Sequence, residues 1–341
     1  MYRISYFYRK PQSNYFSIEN LFHRISGQVE SFYSEEFVVQ EFEMPFINKF
    51  KTLVKNISFA RQRQSEINHI TGDIHYALLG CRKKNINILT IHDCVTLHRY
   101  PKTNPKYWII KWIWFDLPVK KADVLSVISE NTKNDLLRFT NCNPEKIRVI
   151  GNFVDPGFQN TSYLFRKEKT QILFIGTTEN KNLNRLVEAV DGMDVKLDIV
   201  GKLNDSQLSV LKKHRVEYIQ SSGLSKEALY EKYRECDLVA FPSTYEGFGL
   251  PIIEAQASGR PVLTSNLSPM REVSGAGACL VDPFDRRSIR KGLLTIIEDT
   301  KYREKMIETG LENVKRFSLE HVTNQYVELY RELISRKTYK N

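Results

Sequence analysis

Short runs of β-branched and aromatic residues alternate along this chain with longer stretches of helical length and composition, and the alternation occurs twice. In the first half the candidate strands are 3–8, 36–41, 67–70, 86–91, 124–128 and 147–150, with helix-length segments at 47–66, 105–121 and 130–139. In the second half they are 172–175, 196–200, 216–219, 238–241, 261–264 and 278–281, with helical segments such as 182–190, 226–234 and 251–258. Strands alternating with helices imply βαβ crossovers and a parallel sheet in each half. The strand runs are nearly continuous in apolar residues, as expected where helices cover both faces of a sheet. Between the halves, 151–170 (GNFVDPGFQNTSYLFRKEKT) is rich in turn formers and ends in charge, which marks a boundary. The last segment places Val322, Tyr326, Leu329, Tyr330 and Leu333 on one helical stripe with enough apolar surface to dock.

The predicted fold class is therefore α/β: two Rossmann-like, doubly wound parallel-sheet domains facing across a cleft. The N-terminal domain is expected over 1–155 and the C-terminal one over 170–318. The helix in 319–341 is expected to pack back toward the N-terminal domain. Ligands bind beyond the carboxyl ends of strands in such sheets. Two ligand-binding edges in one chain favour an enzyme joining two substrates over a simple binding module.

Composition narrows the class. With 41% apolar and 26% charged residues over 341 positions, the chain reads as soluble and globular. Its apolar runs are too short and too broken by charge to span a membrane. The opening MYRISYFYRK lacks the basic-then-apolar layout of a signal peptide and reads as the first strand of a cytoplasmic protein. Five scattered cysteines, Cys81, Cys94, Cys142, Cys236 and Cys279, form no CxxC pair and read as reduced core thiols. Residues 1–170 hold 25 basic and 16 acidic residues, so +9 of the net +10 sits there. Nucleic acid, anionic lipid headgroups and a phosphate-bearing acceptor all fit that charge. All three tryptophans, Trp108, Trp112 and Trp114, fall in KYWIIKWIWFDLPVKK. Aromatics among lysines suit a lipid interface, and a buried helix with charged ends explains them as well; the buried helix is the preferred reading.

The densest chemistry lies in 238–282. A buried strand ends at Pro242, and the loop SxYEGFGL follows, with Gly247 and Gly249 letting backbone approach a ligand closely. Phe248 and Leu250 complete the loop, and Pro251 suits the first turn of a helix. The exposed amides of that helix start attract phosphate or another anion. Glu246 in the loop and Glu254 in the helix offer two carboxylates to the hydroxyls of a sugar. A second loop opens the same half: the strand 172–175 ends at Gly176, followed by Thr177, Lys181 and Asn182 before a helix. A lysine at a tight βα turn makes a phosphate clamp, although the second glycine of a Walker loop is missing.

The spacing Glu246-x7-Glu254, with GFG and Pro251 between, resembles the E-x7-E signature of retaining family-4 glycosyltransferases of the GT-B fold. The resemblance implies that Glu254 holds the donor ribose hydroxyls and Glu246 contacts the transferred sugar. The amides of Gly247–Gly249 would meet the sugar and diphosphate. It matches Lys181 to a lysine on the donor diphosphate, but an arginine usual in that family is replaced by Thr177 and Thr178, leaving Arg185 or Arg271 as substitutes. Beside the nucleotide base it places 224–233, LSKEALYEKY, where Ser225 reads as a helix cap. Asn152 and Asp155 resemble the end of the family's first domain. The resemblance is strong over 172–312 and loose in the first half. There the usual glycine-rich first loop is replaced by RKPQSNYFSIENLF, in which Asn14 and Ser17 are candidates for acceptor contact.

In the first half, His92 and Asp93 follow the strand 86–91 at its carboxyl edge; a histidine there orients a hydroxyl or is satisfied by backbone. His69, Asp73 and His75 have metal-ligand types without a third partner in usable spacing, and are read as structural. No Asp-x-Asp, GxSxG or HExxH occurs, so no metal is expected. Cofactors are expected to be none, with a UDP- or GDP-sugar as donor substrate. The function expected is transfer of a hexosyl-type sugar from that donor to a glycan or lipid-linked glycan, metal-independent and, by the resemblance, with retention. The acceptor would be of the kind used in polysaccharide or lipopolysaccharide assembly, and the protein cytoplasmic, peripheral at the inner face of the membrane. Catalytic roles fall to Glu246, Lys181 and His92. The alternatives are a sugar-nucleotide epimerase or a disaccharide-phosphate synthase on the same frame, or a non-catalytic basic module binding glycan or nucleic acid. The absence of an RNP pattern or helix-turn-helix lowers the last.

Overall fold

A computed structural model describes residues 1–10 and 17–338, and the chain forms two compact units: 1–153 with 319–341, and 154–318. The first unit holds six parallel strands, β1 (Tyr2–Tyr8), β2 (Phe37–Glu43), β3 (Ile67–Ile70), β4 (Ile86–Ile91), β5 (Val124–Val127) and β6 (Ile147–Val149), in the order β2-β1-β3-β4-β5-β6. The central strands β3, β4 and β5 are buried along their whole length, whereas the edge strand β2 shows FVVQEFE half to solvent. Helices cover both faces. The helix Leu319–Thr338 lays Val322, Tyr326, Val327, Leu329, Tyr330 and Leu333 against Tyr6, Phe22 and Ile25. It also completes a buried polar chain: Tyr330 Oη lies 2.8 Å from both Tyr6 Oη and His69 Nδ1, and His69 Nε2 lies 2.7 Å from Thr90 Oγ1.

The second unit holds β7 (Thr170–Ile175), β8 (Val195–Val200), β9 (Glu217–Ser221), β10 (Leu238–Phe241), β11 (Val262–Ser265) and β12 (Cys279–Val281), all parallel, in the order β12-β11-β10-β7-β8-β9. The strand order reverses between β7 and β10, so the chain leaves these two strands toward helices on opposite faces, and the point of reversal lies at their carboxyl ends. Carboxylates buried in this unit are paired. Asp198 accepts from Lys232 Nζ at 2.9 Å, and Asp237 accepts from Arg166 Nε at 3.0 Å and from the Gln171 amide at 2.7 Å.

Two segments depart from the sequence reading. The stretch read as a loop after β1 contains a helix, Ser17–Phe32, which buries Leu21, Phe22, Ile25 and Val29 at helical spacing. Asn14 lies outside the described residues, as does the side chain of Ser17, so the acceptor contact considered for them has no structural counterpart here. The segment 105–121 is a helix whose middle, Lys111–Asp116, widens into a π-helical turn. Phe115 turns into the core, while Trp108 and Trp112, four residues apart on one face, stand in solvent, 55% and 57% exposed. The buried-helix reading therefore fails for these two tryptophans. Only Trp114 packs inward, its ring 4.9 Å from that of Tyr76. No helix among the described residues is long and apolar enough to cross a membrane.

Candidate active site

The two loops at the strand-order reversal of the second unit are joined to each other. Asn180 Nδ2 donates to Tyr245 O at 2.9 Å, and the Asn180 carbonyl accepts from the Thr244 amide at 2.8 Å. Lys181 Nζ donates to Glu246 Oε1 at 2.7 Å, with the two side chains 19% and 12% exposed. The same ammonium lies 4.7 Å over the Phe241 ring. Water is largely withdrawn from this pair, which strengthens its attraction.

Backbone conformation makes that geometry possible. Gly176 ends β7 with φ +88°, and a Cβ there would sit 3.0 Å from Lys181 Cε, so a side chain would displace the lysine. Asn182 takes the left-handed region at φ +70°, which its short amide tolerates. It is held by two bonds from Nδ2, to Pro242 O at 2.9 Å and to Pro283 O at 2.7 Å. Gly249, at φ +109°, is the N-cap of the helix Leu250–Ala257, whose first turn carries Pro251 and no acidic side chain. The first amides of that helix therefore face the loop without an internal carboxylate to satisfy them.

Glu254 stands one turn into this helix. It accepts from Tyr233 Oη at 2.6 Å, and removal from water, with Asp155 adding repulsion, pushes its carboxyl up to about 7. Tyr233 is buried with no sequence spacing to link it to Glu254; it lies in the segment whose resemblance was to the turn and helix beside the base. Ser243, the serine that opens the SxYEGFGL loop, is buried two residues after β10, and its hydroxyl has no hydrogen-bond partner.

Lys181, Asn182, Gly176, Glu246, Gly247, Phe248, Gly249, Leu250 and Glu254 thus all lie on the two loops and the helix they lead to. Their environments differ. Phe248 is buried, its ring 5.6 Å from that of Phe317, and serves to anchor the loop. Thr177 turns away: its hydroxyl donates to Lys202 O at 2.7 Å, and its carbonyl accepts from Gln207 Nε2 at 2.8 Å. Of the two arginines considered as substitutes, Arg185 donates to Asn182 Oδ1 at 2.9 Å, within the same loop cluster, whereas Arg271 pairs with Glu272 on another helix.

His92 belongs to the first unit, buried just beyond β4, where Nε2–H donates to Thr71 O at 2.8 Å. Its neighbours with metal-ligand chemistry are engaged individually. His69 bonds through both nitrogens, and burial lowers its pKa to about 3; His75 Nδ1–H donates to Trp114 O at 2.9 Å, and burial lowers its pKa to about 4. Among the described residues no group of three side chains is arranged to hold a metal ion.

Comparison with known proteins agrees with this architecture. Residues 158–313 match the family described as glycosyl transferases group 1, and residues 30–158 match glycosyltransferase family 4. The chain is 39% identical to O-antigen chain mannosyltransferase B of Escherichia coli over 99 residues, 29% of this chain and 26% of that one. A diphospho-undecaprenol N-acetylgalactosaminyltransferase of Campylobacter jejuni is 28% identical over 80% of this chain and 76% of its own. Among solved structures, Anabaena HepE, crystallised with UDP and glucose, superposes with a TM-score of 0.73 over 97% of this chain and 100% of that one, at 16% identity. With its sheets, its reversal loops and the two adjoining family matches in agreement, the chain belongs to the group 1 and family 4 glycosyltransferases, enzymes of the GT-B fold.

Proposed function

We propose that the second unit binds a nucleoside-diphosphate sugar, a UDP- or GDP-sugar, and that a hexosyl group passes from it to a hydroxyl of a glycan or lipid-linked glycan. The reading rests on one observation: the lysine and both glutamates of the E-x7-E loop converge where the strand order of that unit reverses. Relatives add support, since one extends O-antigen chains and another acts on a diphospho-undecaprenol acceptor.

In this reading the diphosphate lies against the start of the helix Leu250–Ala257 and the Lys181 ammonium. Both place positive potential where charge develops on the leaving group. Lys181 has three N–H donors, so it can hold Glu246 and a phosphate oxygen together. Glu254 accepts from the ribose hydroxyls, with Tyr233 fixing its rotamer, and Glu246 accepts from the transferred sugar. Both carboxylates orient more than they exchange protons. The Thr177 hydroxyl is committed to Lys202 O, so Arg185 is the second cation assigned to the diphosphate. His92 is assigned to orienting a hydroxyl in the first unit. Transfer proceeds with retention and without a metal ion.

A thermal-shift panel of UDP, GDP, ADP and their sugars tests donor binding. Ligand at a hundredfold excess over its dissociation constant stabilises by roughly 2.7 kcal/mol. Glu246→Ala is expected to abolish transfer with the fold intact, and Glu246→Gln separates loss of charge from loss of shape. Unchanged turnover in both variants removes Glu246 from the mechanism.

A further inference from the structure

We propose that one face of the first unit, formed by 46–55 and the helical segment 105–113, docks on an anionic lipid bilayer. This goes beyond the transfer reaction, since a bilayer would be met there whatever the acceptor. The two stretches are neighbours in space: the Phe50 ring meets the Trp114 ring edge-on at 5.8 Å. Together they present Trp108, Ile109 and Trp112 from one side and Phe50 and Val54 from the other, all between 46% and 75% exposed. Isolated apolar residues on a surface need no explanation, but five exposed ones on two adjoining stretches, two of them tryptophans, do. The Trp108 indole N–H already donates to Lys102 O at 2.9 Å, so its ring can leave water without stranding a donor.

Along both stretches the charges are of one sign, and the carboxylate residue that reaches them from elsewhere in the fold, Asp73, accepts from Asn48 Nδ2 through its carbonyl. Lys49, Lys51, Lys55, Lys102 and Lys106 are exposed, and neither 44–65 nor 94–115 contains an acidic residue. Of the carboxylates that border the two stretches, Asp116 is occupied by Lys111 Nζ at 2.6 Å and Glu66 by Arg3 Nε at 3.4 Å, while Glu43 and Asp93 are exposed. Indoles at headgroup depth, aliphatic side chains below them and lysines reaching up to phosphates are what an interfacial surface requires. A second copy of the chain is a poorer occupant, because a two-fold contact would set lysines against lysines. Nucleic acid would use the lysines but leave Val54 and Ile109 without a role.

All three tryptophans of the chain lie in 108–114, two of them on this face and Trp114 packed just beneath it, so a shift in tryptophan emission reports on this region. The full chain should co-sediment with vesicles of phosphatidylcholine and phosphatidylglycerol at about 2:1, with emission shifted to shorter wavelength and binding weakened by salt. Trp108→Ser combined with Trp112→Ser should lower that binding about tenfold or more. Its melting transition and its thermal shift with nucleotide sugars should stay as in the unaltered chain, so that failure of this surface is distinguishable from failure of the donor site. The proposal is overturned if the unaltered chain stays in the supernatant or if the double variant sediments equally well. It is likewise overturned if the face instead mediates dimerisation or binds oligonucleotides without binding vesicles.

Discussion

The two units carry the same number of parallel strands but treat buried polarity in opposite ways. The first unit fills its interior with neutral hydroxyls and imidazoles: Tyr6, His69, Thr90, Ser126, Tyr326 and Tyr330 form a continuous chain between sheet and C-terminal helix. The second unit buries carboxylates and holds them with cations, as in Asp237 with Arg166, Asp198 with Lys232 and Glu246 with Lys181. Neutral networks fix a packing arrangement and are insensitive to pH over the ordinary range. Ion pairs leave strong local fields, and a unit that receives a diphosphate, as proposed for this one, needs such fields in place beforehand.

The sharpest contrast should come from breaking a charge pair that touches no ligand. Asp237 is fully buried and accepts from the amides of Arg166 and Gln171 as well as from the Arg166 side chain. Asp237→Ala strands those donors and should destabilise the protein by about 3 kcal/mol. Urea unfolding checks this; a loss under about 1 kcal/mol would mean that water replaces the carboxylate. Next in size is Lys181→Met, which removes the cation from the donor loops while filling its volume. It should lower kcat/KM by about 10²–10³-fold, and a nucleotide titration should show weakened diphosphate binding. A loss confined to KM would recast Lys181 as uniform binding of the donor.

Glu254 tests the cost of placing a site carboxylate away from water. Its pKa, raised to about 7 from the ordinary 4.5, means that the folded state holds the proton more tightly than the unfolded one. Its contribution to stability is complete below about pH 4.5 and is lost as pH rises through 7. Glu254→Gln, neutral throughout, should therefore gain on the unaltered protein between pH 5 and pH 8, by on the order of 2 kcal/mol. Nucleotide binding should move the other way, weakening below pH 7 as the acceptor carboxylate protonates, and that dependence should vanish in Glu254→Gln. A melting-temperature difference that does not vary with pH would deny the coupling.

The contrast between the units also explains what the sequence made legible. Strand β10 (LVAF) is an unbroken apolar run and β7 (TQILFI) ends in one, so residue type alone marks them; β3 (INHI) and β4 (INILTI) are buried throughout yet carry Asn68, His69, Asn87 and Thr90, and are marked by the isoleucines between these. The edge strands β2 and β9 are half polar, and their expected limits, 36–41 and 216–219, stop short of Phe37–Glu43 and Glu217–Ser221. In the donor loops Glu246, Glu254 and Lys181 stood out because glycines and a proline fix their spacing locally. Tyr233 and Asn180 did not, since their partners are set by the reversal of strand order, which no short-range pattern encodes. The helix Ser17–Phe32 was obscured by the polar, turn-forming residues leading into it. The π-helical turn at Lys111–Asp116 was invisible to a period of 3.6.

The smallest effect should be the most specific to the first unit. The Thr90 hydroxyl donates to Ser126, so it accepts from His69 Nε2–H; His69 is neutral, so its Nδ1 accepts from Tyr330, and Tyr330 in turn accepts from Tyr6. Direction is thereby set along the whole chain. Tyr330→Phe strands a donor on Tyr6 and an acceptor on His69, both buried, at about 1–2 kcal/mol. The cost comes from unmet partners more than from a lost bond, so removing His69 as well, with Tyr330→Phe and His69→Leu together, should cost less than the two single changes summed. The neutral network then behaves as a unit. Additive losses in that cycle would instead show that each hydroxyl finds its own substitute partner, and the first unit's interior would be no more cooperative than the ion pairs of the second.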